Sequence, residues 1–185
     1  VGRRARNYAQ EKIVELKTKL KLDAIIVNVE NSAGGFGVTP SICDDFFRVG
    51  ADVLTTGNHI WDKREIISYI TKNDRLLRPL NMIEGTPGLG MTTVDLDAGK
   101  IGVANIMTNL FMQKTDNVFD KIPDILENLK LKKNVDFSLV DIHGEASSEK
   151  MALGNALDGK VTAVVGTHTH VPTADYQILE NGTAY

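Results

Sequence analysis

Segments typical of β-strands alternate with segments typical of α-helices along most of the chain. The predicted strands cover residues 23–29, 52–55, 91–96, 101–106, 137–142 and 161–165. An apolar stripe at 13–22 predicts a first helix. The other predicted helices cover 40–49, 63–70, 122–131 and 148–157. Residues 91–106, with Ala98-Gly99 at the turn, predict an antiparallel hairpin inserted into this alternation. The order predicts an α/β protein whose sheets have mixed strand directions.

The composition limits the class of protein and its partners. With 185 residues, 42% of them hydrophobic and 24% charged, the chain suits one compact domain and excludes disordered or fibrous architectures. There are 21 Lys and Arg against 24 Asp and Glu, and the net charge of −3 argues against a general nucleic-acid or anionic-membrane coat protein. We therefore expect no stable nucleic-acid partner.

The single cysteine, Cys43, excludes an internal disulfide and a structural zinc site built from several thiolates. No apolar run approaches the roughly 20 residues that a membrane span needs. We therefore expect a soluble cytoplasmic protein without a membrane partner. Nothing in the sequence excludes a homo-oligomer.

Both ends of the chain lack features expected of a whole α/β domain. A helical pattern follows Val1-Gly2 almost at once, whereas such domains usually open with a strand. Residues 177–185 predict a strand, a turn at Asn181-Gly182 and a second strand that has barely begun. We expect residues 1–185 to be one domain that lacks its first strand and its C-terminal part. The alternative is a complete chain without its Met.

All four histidines of the chain, and several amide and carboxylate side chains, come just after predicted strands. In open α/β sheets, ligands bind in the crevice beyond the carboxyl ends of the strands. A single histidine there would more often be structural, but the joint pattern favours a metal site. The candidate ligands are Glu30, Asn31, Asn58, His59, His143, His168 and His170.

The ligand types restrict the choice of metal. Imidazole with carboxylate and amide oxygen suits Mn, Fe, Zn or Co, and the lack of thiolates disfavours structural zinc. Glu30 could bridge two cations, and the rings of His168 and His170 either share one face or diverge toward two ions. One carboxylate leaves most of the metal charge uncompensated, which favours an anionic substrate and phosphoryl chemistry.

Five ordered stretches make this interpretation more specific. The boxes Gly57-Asn58-His59 and Gly166-Thr167-His168-Thr169-His170, with the distant His143, resemble the metallophosphoesterase (calcineurin-like) superfamily. Within it, the chain resembles the bacterial YmdB-like branch, whose members resemble phosphodiesterases acting on 2′,3′-cyclic or 3′,5′-cyclic nucleotides. The stretches that carry this resemblance are residues 29–37, 56–62, 78–81, 140–150 and 166–171.

The resemblance implies a fold, a site and a reaction. The fold is two mixed β-sheets sandwiched between helices, and the cofactors are two divalent metal ions, Fe or Mn before Zn. Glu30 would bridge the ions; the remaining ligands would be Asn31 and His170 for the first ion and Asn58, His143 and His168 for the second. A hydroxide bridging the ions would attack phosphorus, and His59 would protonate the leaving alkoxide.

One departure from the family pattern keeps other functions open. The family's first strand ends in a Gly-Asp-Val box whose Asp ligates the first ion, and Val1-Gly2 falls where that box would just have ended. If this sequence is all that exists, the first metal site is short of that one carboxylate; if the chain is trimmed, we expect the parent protein to carry the Asp. The alternatives are a broad phosphomonoesterase and a non-catalytic regulatory or RNA-associated protein that retains the metal site.

Three further features each allow two interpretations. Asp141, on the same strand face as His143, is either an acceptor for that ring or an ordinary polar residue. The glycines at 34, 35 and 37 either cradle phosphate through backbone N–H groups or form a tight crossover before Pro40. Residues 145–150 either contact the substrate or begin a helix.

Overall fold

The computed structural model describes residues 2–185, so Val1, which with Gly2 falls where the family's Gly-Asp-Val box would have ended, lies outside the described residues. The helices are α1 (Arg3–Leu20), α2 (Pro40–Arg48), α3 (Ile66–Ile70), α4 (Ile122–Asn128) and α5 (Ser147–Leu157). The strands are β1 (Ile26–Asn28), β2 (Val53–Thr55), β3 (Met91–Leu96), β4 (Gly99–Met107), β5 (Phe137–Gly144) and β6 (Ala163–His168). No helix among residues 2–185 combines the length and apolarity needed to cross a membrane.

The strands form two sheets. In the smaller sheet β1 pairs in parallel with β2, and the larger sheet has the order β3-β4-β5-β6. In the larger sheet β3 is antiparallel to β4, whereas β4, β5 and β6 are parallel. The predicted α/β class with an inserted antiparallel hairpin is therefore confirmed.

Alternating side chains on each strand place the two sheets face to face. Val53 of β2 packs with Ile101 and Val103 of β4 in a cluster between the sheets. The next residue on β2, Leu54, faces the opposite way and packs against α2, where Phe46 is buried. Because successive residues of a strand point to opposite faces, each sheet is apolar on both sides.

The outer layers are helices. Residues of α1, α2 and α3 cover the smaller sheet, and residues of α4 and α5 cover the larger one. Helix α2 begins as its sequence predicts, because the Thr39 side chain accepts a hydrogen bond from the Ile42 N–H and Pro40 occupies the first turn. Cys43 is fully buried in this layer.

Several element boundaries differ from the predicted ones by a few residues, and two of these differences have local reasons. Helix α1 ends at Leu20 because Lys21 adopts the left-handed conformation, with φ of 52°, so Leu22 lies outside the helix. Strand β1 covers 26–28 rather than 23–29. The side chain of Asp52, rather than a strand backbone, accepts the hydrogen bond from the Ile25 N–H at 2.8 Å.

The C-terminal residues form a small hairpin against β6. Ile178 and Ala184 form an antiparallel bridge, and the Gly182 N–H closes the turn on the Leu179 carbonyl at 2.9 Å. Ala184 also bridges in parallel to Ala163 at the start of β6. The predicted turn is present, but each side contributes isolated bridges instead of a regular strand.

Candidate metal centre

The carboxyl ends of four strands meet at one edge of the sandwich. Glu30 follows β1, Asn58 follows β2, and His143 and His168 lie at the ends of β5 and β6. The two sheets are joined there by a hydrogen bond from the Asn28 side chain to Asp141 at 3.1 Å. The parallel strands of an α/β sheet deliver their following residues to one side, and this edge is therefore rich in polar groups.

Three side chains surround the ring nitrogen Nε2 of His143. This nitrogen lies 3.1 Å from Glu30 Oε2, 3.0 Å from Asn58 Oδ1 and 3.2 Å from His168 Nδ1. Glu30 and His143 are 1% and 0% exposed, so water does not screen the cluster from every side. Ligand atoms of Glu30, His143 and His168 all lie within 4.8 Å of one another, close enough to share one ion.

A hydrogen-bonded chain fixes the proton on the other side of the His143 ring. The Thr167 hydroxyl donates to Asp141 Oδ1 at 2.6 Å, so the Thr167 oxygen accepts from His143 Nδ1–H at 3.0 Å. His143 Nε2 then carries a lone pair and faces the acceptor oxygens of Glu30 and Asn58. Acceptor atoms that converge without a proton between them fit a bound cation.

Gly57 provides the room for this arrangement. A Cβ added at Gly57 would lie 2.2 Å from Glu30 Oε2 and 2.2 Å from His143 Nε2, closer than any real contact. Only glycine allows the backbone to approach the two side chains so closely. The donor set, one carboxylate with carboxamide and imidazole groups, fits Mn, Fe or Zn rather than a hard cation such as Mg.

A second pair of candidate ligands lies beside the first cluster. His170 Nε2 is 3.0 Å from Asn31 Oδ1, while the Asn31 amide nitrogen donates to the Gly35 carbonyl at 2.8 Å. His168 has a φ of 96°, and the rings of His168 and His170 point toward different partners. The sequence allows the rings of His168 and His170 either to share one face or to diverge, and in the structure they diverge.

Glu30 and His168 of the first group and the Asn31–His170 pair line one cleft of about 260 Å³. Its lining contains Asn28, Glu30, Asn31, Thr167, His168, Thr169 and His170. The structure places the six predicted ligands in two neighbouring groups, and their assignment to two ions stays a prediction. One group surrounds His143 and the other is the Asn31–His170 pair, with Glu30 at the boundary in sequence.

The pKa shifts in the centre favour the protonation states in which Glu30 and His168 bind metal. Burial acts to raise the pKa of Glu30, but its close contacts with the His143 ring and the His59 backbone N–H outweigh burial and lower that pKa below its usual value. Burial lowers the pKa of His168. An ionised carboxylate and a neutral imidazole are the forms that bind metal.

Asp141 is neither a direct acceptor for the His143 ring nor an ordinary polar residue. It is 2% exposed and reaches His143 through Thr167 rather than directly. Burial raises the pKa of Asp141, and hydrogen bonds from Thr167, Thr55 and Asn28 oppose that effect. The role of Thr167 was not predicted because it depends on the register of β6, which pairs Thr167 with His143.

His59 lies beside the cluster with one ring nitrogen engaged. Its Nδ1 is 2.8 Å from Asp62 Oδ2, and since a carboxylate only accepts, Nδ1 donates. Its backbone N–H points at Glu30 Oε2 from 3.5 Å. The side chain is 27% exposed, so Nε2 is left to meet a bound molecule. The i+3 spacing to Asp62 is the sequence signal that identifies this partner.

Three of the candidates between 145 and 150, namely Glu145, Glu149 and Lys150, have protein partners. Glu145 Oε2 lies 3.0 Å from His168 Nε2, on the side of the ring away from His143. Glu149 accepts from the backbone N–H groups of Asn109 and Leu110, and the Lys150 ammonium donates to Thr169 at 3.3 Å. Helix α5 begins at Ser147, in agreement with the helix-start interpretation.

Comparison with known proteins gives the family. The model of the YmdB-like protein family matches residues 1–185, and the chain belongs to that family. Over 185 residues it is 43% identical to the 2′,3′-cyclic-nucleotide 2′-phosphodiesterase of Bacillus subtilis strain 168. That match covers 100% of this chain and 69% of the Bacillus protein.

Solved structures agree with the fold. A hypothetical protein from Thermus thermophilus superposes with a TM-score of 0.91 at 34% identity, covering 100% of this chain and 71% of its own. A structure described as a novel phosphatase from Mycoplasma pneumoniae gives a TM-score of 0.87 at 33% identity, covering 100% and 66%. The calcineurin-like metallophosphoesterase fold that the resemblance implied is confirmed.

Proposed function

We propose that the chain is the metal-dependent catalytic part of a phosphodiesterase that opens cyclic nucleotides, with 2′,3′-cyclic nucleotides as its first substrates. The observation that carries the proposal is the buried set of proton-free acceptors around His143 Nε2, next to a histidine with a free ring nitrogen. The name of the Bacillus relative supports the substrate class.

The six candidate ligands would hold two divalent cations, Fe or Mn before Zn. Asn58, His143 and His168 would bind one ion, Asn31 and His170 the other, and Glu30 both. When bound, such a pair supplies positive charge for the phosphate oxygens and lowers the pKa of the attacking water. The set contains one carboxylate, so the loaded site attracts an anionic substrate.

His59 would supply the proton that the leaving oxygen needs. Asp62 accepts from its Nδ1–H and thereby orients the ring, which leaves Nε2 to act on the leaving oxygen. A sugar alkoxide is a poor leaving group near neutral pH, and a positioned general acid contributes roughly 10²–10⁴-fold to such a step. The proton moves from Nε2 to the ribose oxygen as the bond from phosphorus to that oxygen breaks.

The leaving group provides a sharp test. With the complete natural protein and Mn²⁺, we would measure hydrolysis of 2′,3′-cyclic AMP and of bis(p-nitrophenyl) phosphate by wild type and His59→Ala. Nitrophenolate leaves without protonation, so His59→Ala is expected to lose roughly 10²–10⁴-fold on the cyclic nucleotide and much less on the aryl diester. Equal losses on both substrates would refute the acid role.

The same assay separates the other functions. Faster hydrolysis of nucleoside monophosphates than of cyclic diesters would indicate a phosphomonoesterase. Tight metal binding without turnover of any ester would favour a regulatory binding protein. Activity that resists chelators and is unchanged in His59→Ala would place the catalytic site elsewhere.

A further inference from the structure

An exposed aromatic side chain lies against His59. Phe36 is 56% exposed, and its ring centroid is 4.9 Å from that of His59 with an interplanar angle of 66°. The contact is edge-to-face, so it covers only part of the phenyl ring. An aromatic side chain is thus open to solvent beside the candidate general acid.

Hydrogen bonds fix the loop that carries Phe36. The Ala33 N–H donates to the Gly37 carbonyl at 2.9 Å, and the Asn31 side chain donates to the Gly35 carbonyl at 2.8 Å. Gly37 also packs closely on the turn that holds His59, since an added Cβ would lie 3.2 Å from the His59 carbonyl oxygen. The backbone that carries Phe36 is therefore held in place relative to His59.

The glycines before Phe36 leave space beside it. An added Cβ at Gly34 or Gly35 would have no atom within 4 Å beyond the flanking residues, so the space directly at these two positions is open. Both residues have positive φ, of 77° and 106°, which side chains other than glycine rarely adopt. The loop thus presents one aromatic ring next to open space.

We propose that Phe36 is a stacking platform for the nucleobase of the substrate. The inference rests on the proposed function, because His59 marks the side on which the ribose oxygen leaves. The nucleoside must extend from phosphorus past His59, and Phe36 is the aromatic group in contact with that ring. Every base has a π-face, so the platform selects nucleotides over other phosphodiesters without selecting a particular base.

Kinetics with and without a base test the platform. The substrates are 2′,3′-cyclic AMP and ribose 2,3-cyclic phosphate, which lacks the base. Stacking is worth roughly 5- to 150-fold per base, so Phe36→Ala should raise KM for cyclic AMP by that factor and leave the abasic substrate unchanged. Phe36→Trp should retain the wild-type preference, whereas Phe36→Leu, which keeps apolar bulk, should lose it.

Phe137→Ala is the matched control. Phe137 is 42% exposed and begins β5, whose other end carries His143, about 20 Å away along an extended strand. This variant should keep both KM values. If Phe36→Ala instead lowers kcat equally on both substrates, Phe36 only positions His59, and the platform is refuted.

Binding of the product separates this inference from the proposed function. Adenosine 3′-monophosphate should bind more tightly than ribose 3-phosphate to wild type, and Phe36→Ala should remove the difference. If wild type hydrolyses no cyclic nucleotide, the proposed function fails whatever the binding result. If the difference persists in Phe36→Ala, the platform fails even though the enzyme is active.

Discussion

Replacing Thr167 by Val should weaken metal binding without removing a metal ligand. The Thr167 hydroxyl accepts from His143 Nδ1–H at 3.0 Å and donates to Asp141 at 2.6 Å. Val has nearly the same shape as Thr but can neither accept a hydrogen bond from His143 nor donate one to Asp141. His143 then loses the acceptor that keeps its proton on Nδ1, and the proton can move to Nε2, the atom that faces Glu30 and Asn58.

The magnitude follows from what the two hydrogen bonds do. Partners that orient metal-binding histidines typically change metal affinity 10- to 100-fold, or about 1.4–2.7 kcal/mol. The substitution also leaves a polar group on each side without its partner, which costs about 1–3 kcal/mol of folding stability. Both effects should therefore be large enough to measure separately.

Calorimetric titration of the metal-free protein with Mn²⁺ gives the affinity, and its melting temperature gives the stability. Thr167→Ser keeps the hydroxyl and should bind metal like wild type. Thr167→Val should bind roughly 10- to 100-fold more weakly. Wild-type affinity in Thr167→Val, with the apo protein still folded, would show that the chain from Asp141 to His143 does not control the metal site.

Gly57→Ala should lose metal binding and lower the melting temperature, since its Cβ would lie 2.2 Å from Glu30 and from His143; overpacking of this kind costs about 1–3 kcal/mol. Wild-type metal content would contradict that. Burial acts to raise the pKa of Asp158, but hydrogen bonds from the C-terminal hairpin lower it below its usual value. Its stabilising effect is therefore complete above about pH 3.9 and lost as pH falls through the lower folded pKa, so melting temperatures of Asp158→Asn should fall less in acid than those of wild type. Burial raises the pKa of Cys43 to about 12, so Ellman's reagent at about pH 8 should label it only after unfolding.

Most of the fold was readable from the sequence because strand and helix periodicities are local. The order of elements, the inserted hairpin and the cap at Thr39 follow from neighbouring residues. The short β1 was not predicted, because the length of a strand depends on its partner strand. Here the Asp52 side chain, rather than a partner backbone, accepts from the Ile25 N–H.

The candidate site was predictable as a set of residues but not as a network. Histidines after strands identify the edge, since the ends of parallel strands lie together. The link from Asp141 through Thr167 to His143 depends on which residues of β5 and β6 are opposite each other. That register arises from packing of the whole sheet, and no local pattern encodes it. The contact of Phe36 with His59 likewise depends on how two distant loops pack.

Glu30 gives the most direct test of the central claim, because it is the one carboxylate that would hold both ions. We would measure 2′,3′-cyclic AMP hydrolysis and bound metal per chain for wild type and Glu30→Gln of the complete natural protein, with Mn²⁺ and with chelator. The account predicts Mn-dependent turnover with two ions per chain in wild type, and loss of turnover with fewer ions in Glu30→Gln. Turnover that survives both the chelator and Glu30→Gln would contradict it.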